Sequence, residues 1–187
     1  FIIFALIVLA VYFSVYFLTP TVKNTPSEFL EARQESSLIA KNIIFISNRT
    51  SDNLNRIAVL DREKKYGEAL DLVMEEIKQN RQARNEAIKL AGQLEIMAKN
   101  ISAILPVSAS QTALQAISSE TALISRLITY NDYLVQLLEI LQQKFSSSQK
   151  NTNGKIAELI AKINEEAKTI NELDNSFNQL MGEFDKK

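Results

Sequence analysis

Residues 1–18, FIIFALIVLAVYFSVYFL, carry no charge, no Gly and no Pro, and Ser14 is their only small polar residue. As a helix rising about 1.5 Å per residue the stretch is roughly 27 Å long, close to the ~30 Å hydrocarbon thickness of a bilayer. A run that is apolar all round is a poor match to the one-sided stripe of a soluble helix. The sequence therefore predicts an N-terminal transmembrane helix. Its apolar surface comes from Phe1, Ile2, Ile3, Phe4, Leu6, Ile7, Val8, Leu9, Val11, Tyr12, Phe13, Tyr16, Phe17 and Leu18. Tyr12, Phe13, Tyr16 and Phe17 crowd the C-terminal end, where an aromatic interfacial belt would lie. Thr19-Pro20 then stops the helix, because proline disfavours helical geometry in the residue before it. A secretory signal has a shorter apolar region, about 7–15 residues, and a small-residue cleavage site. YFLTPT offers no such site.

Everything charged lies after Val22. The 21 basic and 22 acidic residues nearly cancel, which argues against a nucleic-acid partner and against charge-driven disorder. With no Cys and no His, the chain excludes disulfides, thiolate or imidazole zinc sites, cysteine nucleophiles and any triad with an imidazole base. Gly-rich phosphate loops and the G-x-S-x-G elbow are also missing. Di-iron bundles combine glutamates with Glu-x-x-His motifs, so that chemistry is improbable too. No cofactor and no metal is expected, and the chain reads as non-enzymatic.

A mature chain that starts with Phe1, stays apolar to Leu18 and then meets Pro20 resembles a processed type IV pilin. In that family the apolar helix packs in a filament core, so the resemblance implies a filament subunit. It covers residues 1–20. Ala5 stands where bacterial pilins carry a glutamate, and the remainder lacks the strands of a pilin head.

The rest of the chain has the pattern of long helices. Only 4 Gly and 3 Pro are present, while Ala, Leu, Ile, Glu, Lys and Gln abound and no alternating strand-like run occurs. Residues 19–25 form a short stiff linker. Thr25-Pro26-Ser27-Glu28 is a helix-start signature, with Thr25 as the cap and Glu28 completing a capping box. The predicted helices cover about 26–64, 67–105, 110–145 and 155–184, with Ser108 or Ser110 capping the third. The polar segment SNRTSDN, residues 47–53, is a poor helix former and a candidate kink or turn in the first. Long helices of similar length with short connections predict an all-α fold over residues 26–187, an up-down-up-down antiparallel four-helix bundle. Lys65-Tyr66-Gly67-Glu68-Ala69-Leu70 is similar to the inter-helix turn of a tetratricopeptide repeat, but occurs once, and a solenoid needs about three copies.

The second helix shows three-four spacing through Leu70, Val73, Ile77, Asn80, Arg84, Ala87, Ala91, Leu94, Ala98, Ile101 and Leu105. The third shows it through Leu114, Ile117, Thr121, Ile124, Ile128, Asn131, Val135 and Leu138, with a second row at Leu123, Leu127, Leu134, Leu137 and Leu141. Four polar residues fall on these seams: Asn80, Arg84, Thr121 and Asn131; Asp174 lies near one in the fourth helix. Such positions either line a polar pocket or fix helix register, and register is the simpler role.

These features lead to an expectation of a single-pass, membrane-anchored helical bundle. Its domain would sit outside the cytoplasm, since the flank after the span carries few basic residues. Its role would be structural or protein-interacting, its partners being membrane lipid, other hydrophobic N-terminal helices, or a protein partner including itself. The alternatives are the pilin-like filament subunit and a ligand-sensing ectodomain.

Overall fold

The computed structural model describes residues 24–146 and 152–187. The proposed anchor, from Phe1 to Leu18, most of the linker and most of the connection before the last helix lie outside the described residues. The described chain is all-α: α1 is Ser27–Arg62, α2 Tyr66–Asn100, α3 Val107–Ser146 and α4 Asn153–Phe184, with a 3-10 turn at Ile101–Ala103. At about 1.5 Å per residue the helices are roughly 48–60 Å long.

The boundaries have local causes. α1 begins directly after Pro26, whose carbonyl accepts from the Phe29 and Leu30 amides. Neither Thr25 nor any other side chain caps it, and the expected capping box is not formed. At its far end Lys65 N–H reaches back to the Leu60 carbonyl, closing the six-residue bond of a Schellman turn. Lys64 takes the left-handed position, with φ 58°, usually filled by glycine. α3 starts at once after Pro106, so Ser108 and Ser110 lie inside the helix rather than capping it, and Ser110 Oγ donates to the Val107 carbonyl. The Leu105–Pro106 peptide bond is cis.

SNRTSDN does not form a turn. α1 runs through it unbroken, because Thr50 and Asn53 face inward and find partners on α2. Tertiary hydrogen bonding overrides the weak helix propensity of these residues.

α1 packs on α2, α2 on α3 and α3 on α4, while α1 and α4 have little close backbone packing. Contacts at the ends fix the directions. Asn24 pairs with Leu105, and Phe29 packs on Phe184 with ring centroids 5.7 Å apart, so α1 starts where α2 and α4 finish. Lys144 Nζ lies 2.6 Å from the Asp61 carboxylate, so α1 and α3 finish together. The Arg33 guanidinium completes the clasp between α1 and α4 with two hydrogen bonds to Asp185, at 2.7 and 2.8 Å. The result is a helical bundle with a base, where the chain enters at Asn24, and a far end.

Two apolar clusters fill it, each drawing on all four helices. The basal cluster includes Phe29, Ile43, Ala87, Leu94, Ala113, Leu127, Ile170 and Phe184. The distal one includes Leu54, Ile57, Val73, Leu134, Leu138, Ile156 and Ile163. Tyr130 packs against both, and burial pushes its phenol pKa up to about 12.

Candidate functional site

Between the two clusters, in each helix, polar side chains interrupt the apolar seam. α1 supplies Thr50 and Asn53, α2 Glu76 and Asn80, α3 Asn131 and α4 Glu166, all of them buried. Asn53 Nδ2 donates to Glu76 Oε1 at 2.6 Å, and Asn80 Nδ2 donates to Thr50 Oγ1 at 3.5 Å and to its own helix at the Glu76 carbonyl. Asn131 Nδ2 donates to the Leu127 carbonyl. Arg126, largely exposed, reaches in to Glu166 Oε1 at 3.3 Å. Glu76 is 0 % exposed and its Oε2 has no hydrogen-bond partner.

The four seam polars divide. Asn80 and Asn131 are buried in this layer. Arg84 is not on the seam: it lies exposed, 3.6 Å from Asp132 of α3. Thr121 is exposed as well and bonds back to the Ile117 carbonyl. In both cases the true seam passes through the preceding residue, Ala83 in α2 and Glu120 in α3.

Glu120 and Asp174 form a second polar island, inside the basal half. Both are buried, and neither Glu120 oxygen has a hydrogen-bond partner. Desolvation, with a smaller contribution from the nearby Asp174 charge, pushes the Glu120 pKa up to about 8. Desolvation also raises Asp174 to about 6, opposed by the hydrogen bond from Asn178 Nδ2. Asp174 was legible near the α4 seam. Glu120 and Glu76 were not, although both complete a three-four pattern: Ala69, Val73, Glu76, Asn80 and Ala83 in α2, and Ala113, Ile117, Glu120, Ile124 and Leu127 in α3.

At the far end a cleft of about 530 Å³ opens between α1, α3 and the start of α4. Its walls are apolar, from Leu54, Ile57, Leu137, Leu141 and Ile156, and the mutually paired Asp61 and Lys144 also line it.

Amides, hydroxyls and carboxyls in this arrangement can accept and donate hydrogen bonds and hold protons. Among the described residues no group of three or more His, Cys, Asp or Glu side chains is placed to hold a metal ion. What the polar layer does physically is penalise sliding. Moving α2 along α1 separates Glu76 from Asn53 and Asn80 from Thr50, and each buried group then loses its partner.

The fold and these sites define an all-α helical bundle with polar positions built into an apolar core. The chain matches no protein-family model, no curated protein and no solved structure at a significant level.

Proposed function

We propose that this protein is a single-pass, N-terminally anchored, non-enzymatic four-helix bundle of up-down-up-down topology. Its role is structural or interaction-based: it presents a rigid helical rod at a membrane surface, on the side away from the cytoplasm. The observation that carries the reading is a surplus of apolar surface. The described helices bury their own apolar seams in two clusters drawing on all four of them. The uncharged run from Phe1 to Leu18 has a length that suits a bilayer. Among the described residues no helix is long and apolar enough to cross a membrane.

The rod's surface offers charged and polar side chains with exposed apolar ones such as Leu38, Phe45 and Leu114 among them, a mixture suited to a protein partner or to a second copy. Seam residues Asn80 and Asn131 serve as register devices within it.

The test is membrane extraction of the full chain. Reconstituted into phosphatidylcholine vesicles, it should stay with the lipid after an alkaline carbonate wash. The double substitution Val8→Lys with Leu9→Lys, each costing several kcal/mol at the middle of a span, should release it without changing its helical circular dichroism. Release of the unsubstituted chain by carbonate would sink the reading. Negative-stain images showing filaments instead of isolated membrane particles would replace it with the filament-subunit role.

A further inference from the structure

The two ends of the rod differ in chemistry. At the far end the α1–α2 connection reads Arg62-Glu63-Lys64-Lys65, and Glu63 and Lys65 pair at 2.9 Å. At the base the α2–α3 connection reads Leu105-Pro106-Val107. Leu105 is 51% and Val107 64% exposed, and Pro106 between them is exposed too. Three consecutive exposed apolar residues at a helix corner need a reason.

The chain's own path supplies one. Leu105 N–H donates to the Asn24 carbonyl at 3.4 Å, which ties this corner to the point where the described chain begins. Only six peptide steps separate Asn24 from Leu18, the last residue of the apolar run, and they span at most roughly 20 Å. Any bilayer that holds residues 1–18 therefore has its surface within reach of the corner.

We infer that Leu105-Pro106-Val107 is a second, shallow membrane contact, whose side chains dip into the lipid surface that holds the N-terminal anchor. The inference rests on the anchor reading above. The exposed charges around the base are mixed: Lys99, Lys186 and Lys187 against Glu28, Glu95 and Glu183. Lys99 is already paired with Glu95, and Lys187 Nζ is held by the Ser108 carbonyl and Thr112 Oγ1. With that balance the contact is apolar rather than electrostatic. It is indifferent to salt and to head-group charge, unlike a polybasic surface site. Mechanically, a single tether lets a rod swing, whereas an anchor plus a corner contact holds its base to the lipid and its far end away.

The chain contains no Trp, so one introduced indole reports alone. Val107→Trp in the full chain, reconstituted in phosphatidylcholine vesicles, should show blue-shifted emission. Lipids brominated in the acyl chains should quench it strongly, and aqueous iodide little. The same indole at the far end, Glu63→Trp, should show the reverse. Quenching by brominated lipid should persist at 1 M salt and in vesicles of either neutral or anionic lipid. If the Val107→Trp chain resists carbonate but its indole is quenched by iodide and not by brominated lipid, the corner contact is overturned and the anchor stands. Blue-shifted emission that ignores brominated lipid and depends on protein concentration would overturn it in favour of contact between copies. Loss of quenching at high salt would overturn its apolar character. Release of the chain by carbonate, in contrast, is a failure of the anchor itself.

Discussion

Replacing Glu120 by glutamine should stabilise this protein at neutral pH and barely change it in mild acid. Glu120 is 1% exposed and neither of its carboxyl oxygens has a hydrogen-bond partner. Desolvation first, and the Asp174 carboxyl second, raise its pKa from 4.5 to about 8. In the unfolded chain the same group ionises near its ordinary value. Between those two values the unfolded state binds fewer protons than the folded one, so stability falls as pH rises. It is fully present below the lower value and its loss is complete above the upper one. The slope is about 1.4 kcal/mol per pH unit, so about 3 kcal/mol has gone by neutral pH. Glutamine has nearly the same shape, stays neutral throughout and carries no such loss. Urea unfolding of both proteins at a series of pH values from about 4 to 8 measures the difference directly, with m-values expected to agree. The two stabilities should nearly coincide at the acid end and separate by about 3 kcal/mol at neutral pH. Below about pH 6 the variant should still lose some stability as pH rises, because Asp174 is raised from 3.8 to about 6 and acts in the same sense. Parallel curves for the two proteins between pH 6 and pH 8 would refute the reasoning, because Glu120 would then be ionising in the fold near its ordinary value.

Three further substitutions probe other parts of the bundle. Asn53→Leu removes the amide that donates to the fully buried Glu76. It should cost about 2–3 kcal/mol in urea unfolding, and adding Glu76→Leu should recover much of that, since replacing both partners leaves no orphan. Asn131→Leu should raise the melting temperature by a few degrees while light scattering reveals association states the native chain does not populate. A clear loss of stability with unchanged association would count against a register role. Lys64→Gly relieves a side chain held at φ 58° and should add about 0.5–1 kcal/mol, read as a higher urea midpoint. An unchanged or lower midpoint would mean the lysine makes compensating contacts.

Helix number and approximate length were legible because every break carries a strong signal: Pro26 before α1, Lys65-Tyr66-Gly67 where α2 begins, Pro106 before α3 and the polar run ahead of α4. The rotation of each helix was only half legible. In α2 the expected seam shares Val73, Asn80, Ala87 and Leu94 with the observed one, but the alternate positions are displaced by one residue. Leu70 and Ile77 draw the eye as apolar, yet the structure buries Ala69 and Glu76 beside them. A small residue allows close helix approach and a carboxyl can be satisfied across an interface, and neither property registers in a hydropathy pattern. Arg84 was misplaced onto the seam by the same displacement, as was Thr121 in α3. Whether the polar segment 47–53 breaks α1 is not legible in the sequence for a related reason. Thr50 and Asn53 lower helix propensity locally, but their partners lie on α2, 30 and 23 positions further along the chain.

The buried polar layer also bears on why four long helices settle in one alignment. A seam of repeating three-four spacing looks almost the same after a slide of one heptad, roughly 10 Å. Apolar contacts alone would leave such slid arrangements close in energy. If α2 moved by seven residues along α1, Glu76 would occupy the level now held by Ala69 or Ala83, against apolar neighbours. Asn53 and Thr50 would face apolar α2 residues in turn. Each group so stranded costs about 1–3 kcal/mol, more if charged, so several displaced at once outweigh the few kcal/mol separating rival packings. In the proposed role, with one end at a lipid surface and the other facing a partner, the rod would need that alignment. A slipped helix would push a connection out of one end and draw it into the other. The layer therefore gives up some stability in the core in exchange for a single length and a single pair of ends, and the Asn53 and Asn131 substitutions measure the two sides of that exchange separately.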